Sequence, residues 1–185
     1  YVNLYEPSTI DWQQNGQPMQ LTVETKFPYE TKVQATVKTA SPVKSNIRIR
    51  VPSWADSKME ASINGKVAGS GSPGTYMALD RSWSDGDTIE FTLPASIRVR
   101  RYTGGDQIAG KVRYSFEYGP ILLAAVGSQH VELLIDKGHS PERIASHHKL
   151  VAGSPLHFTV RGNPEQIHLP YWLVSGEEFT CYTTV

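Results

Sequence analysis

The feature that most constrains the fold of this chain is a period-two alternation of apolar and polar residues that recurs in short segments. From Ile47 to Val51, apolar residues alternate with Arg48 and Arg50. Because successive side chains of a strand point to opposite faces, this segment predicts a strand that is buried on one face only. Pro52 cannot donate a ladder hydrogen bond and is expected to end the strand. Such a strand needs a second layer to cover its apolar face.

The same alternation recurs along most of the chain. Residues 121–126 are apolar on both faces, which is typical of a central strand. Asn64-Gly65 separates two alternating segments, as in a two-residue hairpin. With turn residues every eight to twelve positions, the pattern predicts an all-β fold, an antiparallel β-sandwich or jelly roll of about ten short strands with little helix. The other predicted strands cover 2–5, 19–25, 32–38, 59–63, 66–68, 76–79, 88–93, 97–100, 112–118, 156–160 and 179–185.

Length and patterning favour a single β-sandwich domain over residues 1–185, with a core at 1–126, an irregular excursion at 127–155 and closing strands at 156–185. Within the excursion, Ser140 in the N-cap position followed by Pro141 predicts a short helix. The chain begins without Met and shows no export signal, and we therefore expect it to be an excised part of a longer protein.

The charge balance argues against two classes of partner. Lys and Arg number 18, and Asp and Glu also number 18. No net field would attract the chain to polyanions, so nucleic acid is not an expected partner. The longest apolar run is far shorter than the roughly 20 residues that span a bilayer, so no membrane partner is expected either.

Carboxylates are candidate catalytic groups, because a pair of them can hydrolyse a glycoside. Glu24, Glu90 and Glu117 each fall on the outward face of a predicted strand, where a solvated role is favoured. Asp85 and Asp87 flank a glycine in a turn, which favours a plain turn over a calcium site. The residues alone therefore nominate no catalytic acid, base or metal site.

Cysteine and histidine are the other residue types here with reactive or metal-binding side chains. Cys181 lies in an alternating segment without a neighbouring His or Lys, which favours a buried strand cysteine over a reactive thiol. His147 and His148 are adjacent and cannot both face one metal from a regular element. We therefore expect no cofactor in this sequence.

Two further groups, a cluster of arginines and the tryptophans, are candidates for binding a partner or a ligand. Arg98, Arg100 and Arg101 form the basic cluster, for which a solvated face or ion pairs to a neighbouring domain are favoured over an anion site. Tryptophans near strand ends either pack or stack on sugar rings, and packing is favoured. These tryptophans are Trp12, Trp54, Trp83 and Trp172.

Several local patterns coincide in a fixed order along residues 1–127. They are Val2-Asn3-Leu4-Tyr5 before Pro7-Ser8, Arg48-Ile49-Arg50-Val51-Pro52-Ser53-Trp54, Ile63-Asn64-Gly65, Arg81-Ser82-Trp83 with Gly86-Asp87, Leu93-Pro94, and Tyr118-Gly119-Pro120-Ile121-Leu122-Leu123-Ala124. Together they resemble the region after the catalytic domain, the C-terminal β-sandwich region, of glycoside hydrolase family 127, the β-L-arabinofuranosidase-like group. Leu169-Pro170-Tyr171 and residues 179–182 are similar to the end of such chains.

The resemblance implies a parent enzyme with an (α/α)6 catalytic barrel followed by β-sandwich domains. It also implies retaining chemistry by a zinc-held cysteine nucleophile and a glutamate acid/base, all on the barrel. None of these residues has a match here, because Cys181 lacks the neighbouring cysteine of that motif. Zinc is therefore an expectation for the barrel and not for this sequence.

Three hypotheses follow. The leading one is a non-catalytic ancillary β-sandwich domain that packs on the barrel of the same polypeptide. The alternative is a carbohydrate-binding module for plant-type glycans, and an autonomous hydrolase has the least support. The residues expected at the domain interface or at a carbohydrate contact are Arg48, Arg50, Trp54 and Trp83.

Overall fold

The chain folds into two compact units, residues 1–95 and 96–185. The structure is a computed structural model that describes residues 1–127 and 138–184. Antiparallel strand pairs build both units, which confirms the all-β class. The jelly-roll connectivity and the single domain over 1–185 stay predictions. None of the described helices is long and apolar enough to cross a membrane.

The first unit contains a six-stranded sheet, in the order β1-β2-β3-β8-β5-β6, and a two-stranded sheet, β4-β7. Before them, Val2 forms an isolated parallel bridge with Ile49, where the sequence predicted a strand over 2–5. The strands are β1 (Ser8–Gln14), β2 (Gln17–Thr25), β3 (Lys32–Thr39), β4 (Val43–Arg50), β5 (Met59–Ile63), β6 (Lys66–Gly71), β7 (Tyr76–Trp83) and β8 (Thr88–Thr92).

The core of the first unit lies between these two sheets. Met19 and Leu21 of β2 and Ile49 of β4 belong to one cluster of buried side chains, to which Met77 and Trp83 of β7 also contribute. The residues between them in sequence point outward, as the alternation predicted. The two sheets therefore pack through the apolar strand faces that the period-two alternation predicted.

The hairpin between β5 and β6 is turned by Asn64 and Gly65, with φ values of 51° and 77°. Positive φ at both positions matches the right-handed twist of the strands. The Asn64 side chain also accepts a hydrogen bond from the Thr88 backbone N–H at 2.9 Å. The predicted hairpin is confirmed, and its turn is tied to β8.

The second unit contains one sheet in the order β12-β13-β14-β11-β10-β16, with β15 paired to β11 and β9 paired to β10. Its elements are β9 (Ile97–Arg101), β10 (Arg113–Tyr118), β11 (Ile121–Val126), α1 (Pro141–Ala145), β12 (His148–Leu150), β13 (Phe158–Val160), β14 (Asn163–Pro170), a 3-10 helix (Tyr171–Leu173), β15 (Phe179–Thr180) and β16 (Thr183–Thr184). Its core includes Phe116, Leu123 and Ile144. β11 is central, as its unbroken apolar run predicted.

The excursion contains the predicted helix. The Ser140 side chain accepts a hydrogen bond from the Arg143 backbone N–H at 3.3 Å, and Pro141 opens α1. Ile144 is the buried residue of this single turn. Residues 128–137 of the excursion lie outside the described part of the chain.

The sequence pattern did not predict three strands, β1, β14 and the three-residue β12 within the excursion. β1 is an edge strand that is exposed or half-buried throughout, so it lacks a clear apolar face. β14 contains Pro164 and Pro170, which weaken a strand prediction. These strands form because they hydrogen-bond to a neighbouring strand, although their own residues do not alternate clearly.

Candidate functional site

Arg48 and Arg50 lie on the outward face of β4, as the alternation predicted. Across the β4–β7 pair, Arg48 is opposite Ala78 and Arg50 is opposite Tyr76. The Arg48 guanidinium lies 5.4 Å from the centre of the Tyr1 ring and donates a hydrogen bond to the Tyr1 hydroxyl at 3.1 Å. We call Tyr1, Arg48, Arg50 and Tyr76 the Arg–Tyr face.

The two tyrosines of the Arg–Tyr face hold each other in place. The Tyr1 and Tyr76 rings meet edge to face, with centroids 5.2 Å apart. The Tyr76 hydroxyl donates to the Asn3 side-chain oxygen at 2.8 Å. Both rings remain exposed, at 72% for Tyr1 and 44% for Tyr76. The face therefore presents two cations and two ordered aromatic rings to solvent.

The N-terminal segment fixes this face to the core below it. The Val2 backbone N–H donates to the Arg48 carbonyl at 2.8 Å, and the Arg50 N–H donates to the Val2 carbonyl at 3.0 Å. The buried Tyr5 hydroxyl donates to the Arg50 carbonyl. Burial raises the pKa of Tyr5, so the phenol stays a hydrogen-bond donor across the physiological range.

Trp54 lies outside this face. Its ring stacks on Phe27 with centroids 5.7 Å apart and an interplanar angle of 9°. The side chain is half-buried and packs against the core of the first unit. Much of the indole surface is therefore already covered, and the described contacts do not join it to Arg48 or Arg50.

Trp83 requires a correction to the expected site. Its side chain has an exposed fraction of 0%, and its indole N–H donates to the Ser45 carbonyl at 3.0 Å. A side chain without accessible surface cannot contact a partner domain or a sugar. Trp83 is a core residue, because it occupies an inward position of β7 opposite Val43. The residues that stay predicted for a domain interface or a carbohydrate contact are Arg48, Arg50 and Trp54.

The basic cluster of the second unit forms ion pairs. Arg98 and Arg100 on β9 contact the two oxygens of Glu117 on β10 at 3.1 and 3.0 Å. Arg98 lies directly opposite Glu117 in the strand register. This cross-strand arrangement explains both the arginine cluster and the carboxylate without a bound anion.

Two of the other candidate carboxylates, Glu90 and Asp87, also have partners within the fold. Glu90 pairs with Lys32 at 2.7 Å. Asp87 is buried and accepts hydrogen bonds from the Ser84 backbone at 2.9 Å and from the Asn64 amide at 2.7 Å. Burial alone would raise the pKa of Asp87, but these bonds and the nearby Arg81 outweigh it and lower the pKa. Asp87 therefore holds a turn as a carboxylate.

The cysteine and the metal-ligand types form no reactive cluster in the described part of the chain. Burial raises the pKa of Cys181, which disfavours the thiolate. Within residues 1–127 and 138–184, no group of three or more His, Cys, Asp or Glu side chains is placed to hold a metal ion.

A pair of histidines in the second unit was not found in the sequence. His148 Nε2 and His168 Nδ1 are 2.6 Å apart, and both rings pack against Phe116 with centroid distances of 4.5 and 4.8 Å. Burial lowers the pKa of His148 to about 4 and that of His168 to about 3. The only signal was the apolar context of His168 between Ile167 and Leu169.

The fold and these surfaces define an all-β module built from antiparallel strand pairs. A family model described as β-L-arabinofuranosidase, GH127 middle domain, matches residues 1–95, just over half of the chain. The chain belongs to this family. The model describes a middle domain, so the C-terminal placement expected from the resemblance is not supported by it.

Solved structures share the fold. A GH127 β-L-arabinofuranosidase from Geobacillus stearothermophilus T6 aligns with a TM-score of 0.64 and 21% identity, over 97% of this chain and 32% of its own. A glycoside hydrolase aligns with a TM-score of 0.63 and 18% identity, over 98% of this chain and 35% of its own. A GH127 β-arabinofuranosidase aligns with a TM-score of 0.66 and 17% identity, over 100% of this chain and 34% of its own. This chain thus spans about a third of each structure's length. A search of curated protein sequences finds no match.

Proposed function

We propose that this chain is a non-catalytic ancillary module of a β-L-arabinofuranosidase-like glycoside hydrolase and that it packs on an (α/α)6 catalytic barrel in the same polypeptide. Three solved relatives in which the equivalent region is about a third of the chain support this proposal. In this proposal, zinc and the catalytic groups belong to the barrel.

The observation that carries the proposal is the Arg–Tyr face. Arg and Tyr are enriched at protein interfaces, because each offers a large contact area together with hydrogen-bond donors. Neither Arg48 nor Arg50 has an ion-pair partner among the described residues. Both guanidiniums are thus free to meet carboxylates on a partner. Trp54 is assigned to the edge of the interface, where its uncovered part adds apolar area.

A binding experiment tests the docking role. The barrel is produced separately and titrated with this chain in a calorimeter. We expect association that weakens at least about tenfold in the R48A/R50A variant, since losing one buried charged contact costs a comparable amount. The matched control K58A/K66A removes two positive charges elsewhere on the first unit and should bind normally. Absent association, or equal loss in both variants, would contradict the proposal.

An activity assay tests the non-catalytic role. The chain alone is incubated with an aryl β-L-arabinofuranoside, and release of the aryl group is followed by absorbance. We expect no release above that of buffer. Measurable release that C181A abolishes would show that this chain carries its own nucleophile.

The alternative is a carbohydrate-binding module in which exposed tryptophan rings stack on sugars. Two of the tryptophans expected to do so have little free ring surface. Trp83 is buried and Trp54 is stacked on Phe27. A sugar site on this chain would have to be built from other residues.

A further inference from the structure

A cleft of about 620 Å³ lies on the first unit, where β1, β2 and β3 meet the turn between β7 and β8. Its volume falls within the range of small-molecule sites, roughly 300–1,000 Å³. Five of its lining residues carry charge or an amide: Asp11, Gln13, Gln20, Lys38 and Asp85. None of them is used by the Arg–Tyr face.

The strand register places three of these groups in one row. Asp11 on β1 is opposite Gln20 on β2, and Gln20 is opposite Lys38 on β3. Neighbouring strands are about 4.8 Å apart, so a carboxylate, an amide and an ammonium follow one another at this spacing. The row therefore offers acceptors and donors side by side.

Two of the acidic groups are already oriented. The Gln20 amide nitrogen donates to Asp11 Oδ1 at 2.9 Å, which leaves Asp11 Oδ2 and the Gln20 carbonyl oxygen as acceptors. Asp85 Oδ1 accepts from the Thr39 backbone N–H at 3.1 Å. Lys38 has no ion-pair partner in the described ranges. Its ammonium is thus available as a donor.

The chemistry of this row selects the ligand class. Two carboxylates against one ammonium disfavour an anion, whereas carboxylates accept strongly from hydroxyl groups. Pro18, which lies on the same outward face as Gln20, adds apolar lining against which the C–H face of a sugar ring can lie. A neutral polyhydroxylated ring satisfies both features.

We propose that this cleft, built on Asp11, Gln20, Lys38 and Asp85, binds a neutral oligosaccharide. Asp11 and Asp85 accept from sugar hydroxyls, and Lys38 donates to them. The cleft lies on the six-stranded sheet, whereas the Arg–Tyr face lies on the β4–β7 pair. A glycan can therefore bind in the cleft whether or not the Arg–Tyr face contacts the barrel.

An NMR titration of the ¹⁵N-labelled chain with arabinotriose tests this site. We expect shifts confined to amides around residues 11–13, 18–20 and 38–40, with a dissociation constant on the order of 1 mM. The D11A/Q20A variant should weaken binding at least tenfold. The control E24A/Q34A also removes a facing carboxylate and amide from the same sheet and should keep the affinity within twofold.

Several results would overturn the proposal. They are absence of shifts at about 10 mM arabinotriose, shifts that survive in D11A/Q20A, and equal binding of the anionic trigalacturonic acid. Circular dichroism melting of both double variants shows whether they fold equally. The R48A/R50A variant should bind the sugar normally, so failure of docking and failure of the sugar site are distinguishable.

Discussion

His148 and His168 show how single residues set the chemistry of the second unit. Gln166 lies with its amide nitrogen 3.4 Å from His168 Nε2, and an amide nitrogen can only donate. His168 Nε2 therefore accepts, and its Nδ1–H donates to His148 Nε2. This arrangement needs both rings neutral, because each ring accepts a hydrogen bond at one of its nitrogens.

The pair predicts loss of stability in mild acid. Both folded pKa values lie below the ordinary value of 6.5, so the unfolded chain binds more protons as the pH falls from about 6.5 toward 4 and then 3. The stabilising effect is complete above pH 6.5 and is lost progressively as the pH falls below it. Urea unfolding at pH 8, 6 and 5 measures this slope.

The variant His168→Gln should flatten that pH dependence, whatever its stability at pH 8. The half-buried His157 provides the control, and His157→Gln should leave the slope unchanged. An equal slope in His168→Gln and the parent chain would show that the buried pair does not control acid stability.

Gly71 is a second residue with a defined steric role. A Cβ added at this position of β6 would lie 2.7 Å from Cγ2 of Val51, whose side chain is fully buried. Gly71→Ala should therefore lower the free energy of unfolding by about 1–3 kcal/mol through overpacking. Gly105, around which no atom lies within 4 Å, is the control. Chemical denaturation that finds both variants equally stable would contradict this account.

At the scale of elements, the N-terminal segment completes the layer formed by β4 and β7. Val2 and Tyr5 are buried in the core although neither belongs to a regular strand. The segment adds a parallel bridge at Ile49 to an otherwise antiparallel pair. It therefore covers the backbone of β4 on the side that β7 leaves open.

The hydroxyl of Tyr5 gives a test of this element. Tyr5→Phe keeps the ring on Phe91, 5.4 Å away, but removes the donor to the Arg50 carbonyl. The loss should lower the free energy of unfolding by about 1–2 kcal/mol. Tyr29→Phe changes an exposed phenol and should be neutral. Equal midpoints in thermal unfolding of the two variants would argue that the segment is not fixed by this bond.

At the scale of the whole molecule, the two units have separate cores. Every side chain of the first core lies between Val2 and Leu93, and every side chain of the second lies between Tyr114 and Val160. The boundary at Ala95 also coincides with the end of the family match. The first unit thus has the features of an independently folding domain.

A fragment of residues 1–95 should fold alone and unfold in one cooperative urea transition. An NMR spectrum with well-dispersed amide signals would be the expected result, because all partners of its sheets are within the fragment. An unfolded fragment would instead favour the single domain over 1–185, as would one coincident transition of both units in the complete chain.

The residues alone predicted the strands with one apolar face, the Asn64-Gly65 hairpin, the short helix after Ser140 and the outward position of Arg48 and Arg50. These features depend on local alternation and turn chemistry, which act within a few residues. The folded chain was needed to show that Trp83 is buried, that Glu117 pairs with Arg98 and Arg100, and that His148 contacts His168. Each of these depends on which strands lie side by side, and strand pairing joins residues that are distant in sequence. The row of Asp11, Gln20 and Lys38 has the same origin, because three strands must be in register before it exists.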